Sequence, residues 1–270
     1  MEKYLRMSKG ILLTSGCSWT DKDFYSTDTS ILDEYRGGWP MWPELIANHL
    51  NLKSINLGLC GTDNYSIFES ISKKVNEDDR IKCVVVAWSS WDRFNDMGNQ
   101  KFPIGSFYIS HDKDAMKKRK LYEVQEEFSD FFFSMTQESV KLYSAEVMNN
   151  NMRYMFLLSE LLKSKNIPYL FFQALSPFPL SLFNDIEGLK FKYEDKDYLK
   201  SLISSPYHKF LNSDKNIIGY PFIRVFNGYN LNHILNDECI SELDKHPNRQ
   251  GQIKIANHII GILHDRNVSI

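Results

Sequence analysis

The sequence has no excess of charge, no long apolar run and few cysteines, and each shortage removes a class of function. Lys and Arg number 32 against 34 Asp and Glu, a formal net charge of −2. Nucleic-acid binders concentrate positive charge along one face, so nucleic acid is not expected as a partner. The single basic run, Lys117-Lys118-Arg119-Lys120, is followed by Glu123, Glu126 and Glu127. At that spacing a helix pairs the two signs on a solvated face. No stretch approaches the roughly twenty apolar residues of a membrane span. Residues 1–6 lack the apolar core of a secretory signal. A cytoplasmic chain with no membrane partner is therefore expected. Cys17, Cys60, Cys83 and Cys239 are too scattered for a zinc site or a disulfide framework, and read as reduced thiols. His49, His111, His208, His233, His258 and His264 form no ligand pattern, so no metal is implied. No internal repeat or low-complexity segment breaks the chain.

What is present is an alternation of short apolar runs and helical periodicities over 270 residues, 43% of them hydrophobic. Ile11 to Thr14, Ser54 to Leu57, Ile81 to Ala87 and Pro168 to Phe172 read as strands. The run Val84-Val85-Val86 is apolar on both faces, as in a parallel sheet covered by helices on each side. Helices are expected over 41–50, from an Asp63 or Asn64 cap through Val75, and over 250–264. Phe128, Phe131, Phe132 and Met135 recur at helical spacing, as do Val147, Met148, Met155, Leu158 and Leu162. They predict two long helices, near 113–135 and 138–165, that are core or interface. From 176 to 226 the pattern weakens around Pro177, Pro179, Pro206 and Pro221, which reads as a cap over a site. The expected architecture is α/β: a flavodoxin-like three-layer α/β/α domain with a parallel sheet. It spans 1–270 as a single domain, with a mostly helical cap insertion inside 105–235.

Four short blocks carry the chemistry. Gly16-Cys17-Ser18-Trp19-Thr20 follows the first strand, and a Gly-x-Ser turn there lifts a serine hydroxyl above the sheet edge. Asn56-Leu57-Gly58-Leu59-Cys60-Gly61 follows the second strand, and Trp88-Ser89-Ser90-Trp91-Asp92-Arg93 the third. Asp244-Lys245-His246-Pro247 precedes the last helix and supplies a base with a carboxylate to steady it. Ligands in such sheets sit beyond the strand carboxyl ends, where the first three blocks emerge.

The four blocks in this order resemble the SGNH hydrolases, the branch of the GDSL esterases named for serine, glycine, asparagine and histidine blocks. The resemblance covers roughly the first hundred and the last thirty residues, with Gly38-Trp39-Pro40 to Leu50 similar to the first helix after the serine block. It implies Ser18 as nucleophile, His246 as base and backbone N–H groups of Ser18 and Gly61 as oxyanion donors. Asn56 stands five residues before Gly61, the family spacing. The sequence departs from the pattern in three places. Cys17 replaces the aspartate of the family name. Asp244 lies two rather than three residues before His246, with Glu242 as the other carboxylate. Trp91 falls where the third block has asparagine, and an indole with its one N–H cannot replace an amide. The missing donor is then sought in Asn64, which is preferred, or in Ser89 or Ser90. Ser89, Ser90, Trp91 and Arg93 are the candidate substrate contacts. Packing at the sheet edge is favoured over substrate stacking for Trp88 and Trp91.

The function so implied is a serine esterase for short acyl esters, acetyl above all, on a small molecule or carbohydrate. It works through a Ser18-His246-Asp244 triad and needs no cofactor. An O-acyltransferase using the same serine, or a non-catalytic carbohydrate- or protein-binding module on the same scaffold, are the alternatives. A homo-oligomer through the helical insertion is a further expectation.

Overall fold

Alternation of side chains along three strands builds both faces of a central sheet. In a computed structural model of the chain, residues 10–91, 137–177 and 195–266 are described, without the side chains of 137–144, 195–198 and 225. The strands are β1 (Ile11–Gly16), β2 (Lys53–Asn56), β3 (Ile81–Trp88) and β4 (Tyr169–Gln173), all parallel in the order β2-β1-β3-β4. Ile11, Leu13, Val84, Val86, Trp88, Tyr169 and Phe171 face one side. Leu12, Cys83, Val85, Ala87, Leu170 and Phe172 face the other. Successive Cβ atoms point to opposite faces of a strand, so uninterrupted apolar runs require cover on both.

The cover comes from helices α1 (Trp42–His49), α2 (Asn64–Glu77), α3 (Gln137–Ser164) and α7 (Arg249–Asp265). Ile67, Ile71 and Val75 of α2 and Met148, Met152, Met155, Leu158 and Leu162 of α3 pack on the first face. Trp42, Ile46 and Ala47 of α1 and Ile255, Ala256, Ile259 and Leu263 of α7 pack on the second. The fold is therefore a three-layer α/β/α sandwich. Asp63 is the cap of α2, its carboxylate accepting from Ser66 N. Three strands run slightly further than the pattern predicted at their carboxyl ends, β1 reaching Gly16, β3 Trp88 and β4 Gln173, while β2 ends one residue sooner, at Asn56.

Between β4 and α7 lie the short helices α4 (Asp195–Ser204), α5 (His208–Ser213) and α6 (Leu231–Leu235). Of the stretch expected to cap the site, 178–194 lie outside the described residues, and the described part contributes to the core. Leu202, Leu211, Ile217, Phe222 and Ile223 join the α2–α3 side. Phe171 N donates to Asn216 O and Ile218 N to Phe171 O, so residues 216–218 extend the sheet along the β4 edge. An exposed strand edge leaves N–H and C=O groups unpaired, and this segment satisfies those of Phe171. The expected helix 113–135, the basic run 117–120 and Arg93 lie outside the described residues.

Among the described residues, no helix is long and apolar enough to cross a membrane, and no group of three or more His, Cys, Asp or Glu could hold a metal ion.

Candidate active site

The strand order places β1 and β3 side by side at the switch point of the sheet. From there the chain leaves β1 toward one edge and β3 toward the other, opening a crevice above their carboxyl ends. Gly16 ends β1 beside Ala87, and a Cβ at Gly16 would lie 2.7 Å from Ala87 O. Only glycine fits there. The chain then turns, Thr20 N and Asp21 N both donating to Cys17 O at 2.8 and 3.1 Å. Ser18 sits in this turn, 3% exposed. No helix follows directly, because α1 begins only at Trp42 after an excursion through 21–41. Cys17 is fully buried in the α1–α7 core. That apolar setting suits a thiol and would penalise the aspartate of the family name.

The loop after β2 is bound to this turn. Leu57 N donates to Thr14 O at 2.8 Å and Leu59 N to Gly16 O at 3.0 Å. Asn56 Oδ1 accepts from Gly58 N, while its Nδ2 donates to Thr20 O at 2.7 Å and to Glu44 Oε1 at 3.2 Å. Asp21 is buried and accepts from Cys60 N at 2.8 Å. Gly61 is buried in the left-handed region, φ 77°, which glycine alone adopts without penalty. Among the described residues, the backbone N–H groups of Ser18 and Gly61 have no protein acceptor.

The histidine block is held by α7 and by its own turn. Asn248 caps α7 by accepting from Gly251 N, and its Nδ2 donates to Cys239 O at 2.9 Å. Gln252, fully buried, accepts from Trp42 N at 3.0 Å and donates to Trp19 O at 3.4 Å. One side chain thus ties α7, the start of α1 and the serine turn together. Ile240 N donates to His246 O and Ser241 N to Asp244 O, closing the turn over 241–244.

These loops bring Ser18, His246 and Asp244 into one line. His246 Nε2 lies 2.7 Å from Ser18 Oγ, and His246 Nδ1 lies 2.5 Å from Asp244 Oδ1. The two-residue spacing is accommodated by an Asx-type turn, in which a carboxylate accepts from the N–H two residues on. Asp244 Oδ1 accepts from His246 N at 3.0 Å as well as from the ring. Glu242 is exposed on the outer side of the turn. Burial would raise the Asp244 carboxyl, but bonds from His246 and Ser26 and the His246 charge outweigh it and hold it at about 2, below the ordinary 3.8. Its folded value is depressed, so the stability it contributes is present above 3.8 and lost as pH falls toward 2. Phe24 stacks on the imidazole, ring centroids 4.2 Å apart at 29°.

No family model matches the sequence, and no curated protein matches it. Solved structures do. A chain described as a lipolytic protein of the G-D-S-L family, from Desulfitobacterium hafniense, is 11% identical over 94% of this chain and 99% of its own, with a TM-score of 0.42. An acetylxylan esterase from Geobacillus stearothermophilus is 12% identical over 97% and 95%, TM-score 0.41. A carbohydrate acetylesterase from Sinorhizobium meliloti is 14% identical over 94% and 100%, TM-score 0.37. Identities and TM-scores this low carry neither a family nor an activity to this chain. The placement of the blocks is more specific: the serine block ends β1, the glycine block follows β2, and the histidine block precedes the C-terminal helix. The fold is α/β, a parallel four-stranded sheet covered by helices, with these blocks at its strand ends.

The third block is packed into the core, as favoured for Trp88 and Trp91. Trp91 is fully buried, its Nε1 donating to Gln173 Oε1 at 3.1 Å and its ring edge-on to Phe222. It is core, not a substrate contact. Trp88, edge-on to Phe171, is core too. Ser90 is 3% exposed and its hydroxyl is shared between Ser176 O and Pro177 O, so it is no open contact either. Asn64 is not the free donor that was expected. Its Nδ2 donates to Ser89 O at 3.0 Å and Asn151 Oδ1 at 2.6 Å, and its Oδ1 accepts from Ser89 N at 2.7 Å. Both amide protons are spent fastening β3's end to α2 and α3. Gln173 Nε2 joins the network at Ser89 O, and Asn151 Nδ2 donates to Trp91 O. Ser89 is fully buried, with no partner for its hydroxyl among the described residues.

Sequence reasoning passed over Asp21, Phe24, Ser26, Asn151, Gln173 and Ser241. A signal existed for one of them. Asn149-Asn150-Asn151 interrupts an apolar helix with residues that disfavour helix interiors, and such a run needs a reason. Phe24 and Ser26 lie in an excursion with no periodicity at all.

Proposed function

We propose that this chain is a serine esterase that removes short acyl groups, acetyl first, from carbohydrate or small-molecule esters. The observation that carries the reading is the continuous hydrogen-bonded line from Ser18 Oγ through both nitrogens of His246 to Asp244, with two unengaged N–H groups beside the serine block. His246 takes the proton from Ser18 as Oγ attacks the ester carbonyl. The oxyanion so formed accepts from the N–H groups of Ser18 and Gly61. Asp244 holds the imidazole in the tautomer with Nδ1 protonated and offsets its charge once Nε2 is protonated. The imidazolium returns that proton to the leaving alcohol, and the acyl group stays on Ser18. His246 then deprotonates a water, which attacks the acyl-enzyme, and as the ester bond to Ser18 breaks and the acid leaves, the imidazolium returns that proton to Oγ.

A fluorophosphonate probe tests the nucleophile without assuming a substrate. Folded wild-type protein is expected to form an adduct that mass mapping places on Ser18, and Ser18→Ala to form none. Absence of an adduct on Ser18 in the wild type would end the esterase reading. Hydrolysis of an aryl acetate, run with and without an acceptor sugar, then separates a hydrolase from an O-acyltransferase.

Acyl length is the second test. Ser18 is only 3% exposed and Phe24 stacks on His246 beside it, which supports a small acyl site. Aryl acetate is expected to be cleaved faster than aryl octanoate. The reverse order in kcat/KM would overturn the short-chain assignment and leave the esterase assignment standing.

A further inference from the structure

The excursion between the serine turn and α1 returns to the far end of the chain. Ser26, 1% exposed, donates its hydroxyl proton to Asp244 Oδ2, across a sequence separation of 218. That oxygen is the one His246 does not use. Four bonds close into a ring at this point. Ser26 Oγ donates to Asp244 Oδ2; Asp244 N donates to Ser241 Oγ at 2.9 Å. Ser241 Oγ donates to Asp28 Oδ2 at 2.5 Å, and Asp28 N donates back to Ser26 Oγ at 3.1 Å. A hydroxyl has one proton and two acceptor sites. With the Asp28 N–H on its acceptor side, the Ser26 proton is left directed at Asp244. The backbone there is clamped as well: Ser26 N donates to Arg36 O at 2.8 Å, and Arg36 Nε donates to Ser26 O at 2.9 Å.

We propose that Ser26 is a positioning residue for Asp244, holding the carboxylate in the one orientation that serves His246. This rests on the reading of Ser18, His246 and Asp244 as the catalytic line. The need for such a residue follows from the short Asp-x-His spacing. Oδ1 engages both the backbone N–H and the ring of His246, and both of those contacts pivot on one oxygen. A carboxylate held at a single oxygen can still rotate about its terminal torsion, which is broad. A donor at Oδ2 removes that rotation, and groups that orient a working side chain are as consequential as the side chain's own contacts.

The test compares wild type with Ser26→Ala and Ser26→Cys, the latter close in volume but a weak donor. The first readout is the far-downfield proton NMR resonance of His246 Nδ1–H, which needs no substrate. It is expected to move upfield and broaden in both variants. The second is kinetics on aryl acetate: kcat is expected to fall roughly tenfold to a hundredfold, the scale of one bond to a charged group, with KM within about twofold. The cysteine variant carries the test if the alanine variant does not fold. An unchanged resonance with unchanged kcat in either folded variant overturns the proposal, as does a raised KM with kcat intact. If the wild type neither labels at Ser18 nor turns over ester, the esterase reading fails, and the resonance still decides the role of Ser26.

Discussion

Asp244→Asn is expected to lower ester turnover by about 10⁴ and, with the protein still folded, to lower the melting temperature by removing the stability its carboxylate contributes. An amide next to His246 Nδ1 favours the tautomer with the proton on Nε2, the nitrogen that lies 2.7 Å from Ser18 Oγ. A protonated Nε2 cannot accept from the serine. The turn is weakened by the change, because an amide nitrogen at the Oδ1 position donates to Nδ1 and can no longer accept from His246 N, as Oδ1 does now at 3.0 Å. Glu242→Gln serves as the companion. Glu242 is exposed, and a surface change of this kind stays within about half a kcal/mol, so turnover and melting are both expected to match wild type. Steady-state kinetics with thermal melts on the two variants decide the matter. An Asp244→Asn protein with near wild-type kcat and an unchanged melt would show that another acid holds the histidine.

Trp91→Asn writes the family's third-block asparagine back into the chain, and it is expected to destabilise the protein without raising activity. The indole is fully buried against Phe222 and bonded to Gln173. Removing a buried tryptophan costs about 3–5 kcal/mol in lost burial and residual cavity. It also leaves the Gln173 carbonyl oxygen short of a donor, an added penalty. For a chain of this size the melting temperature should fall on the order of 10 °C. The new amide gains nothing catalytically, because the space it enters is core beside α3, not the crevice above β1 and β3. A melt preserved within about 2 °C together with a gain in turnover would place position 91 at the site after all.

Position 91 also shows why the third block misleads when read from sequence. An alignment of motifs assigns roles by spacing from the strand end, and the spacing from β3 is intact. The network that absorbs the block comes from elsewhere: Asn64 from α2, Asn151 from α3 and Gln173 from β4 all converge on the Ser89 peptide and on Trp91. Asn64 and Gln173 give no local sign of that convergence, and the Asn149-Asn150-Asn151 run marks an anomaly in α3 without saying what Asn151 meets. The strands were legible for the opposite reason. Ile11-Leu12-Leu13 and Val84-Val85-Val86 are apolar at successive positions, and a strand apolar on both faces has to lie inside a covered sheet. Over 176–226 the pattern is ambiguous, because short apolar pieces between prolines look alike whether they cover a site or close a sheet edge. Ile217 and Phe222 close the edge and fill the core.

From sequence alone came the layered α/β architecture, its strand positions to within a few residues, and the chemical types gathered at the strand ends. These are properties of residues close together in the chain: a period of two, a cap, a glycine where no Cβ fits. The tertiary structure decided what depends on closure of the whole fold. It set Asp244 rather than Glu242 against His246, because the turn over 241–244 points one carboxylate inward and leaves the other in solvent. It spent the Asn64 amide on Ser89 and Asn151, because α2 and α3 meet at the end of β3. It brought Ser26 to Asp244 across 218 positions of sequence. Contacts of that length are set by where helices and strands pack, and packing is a property of all the layers together.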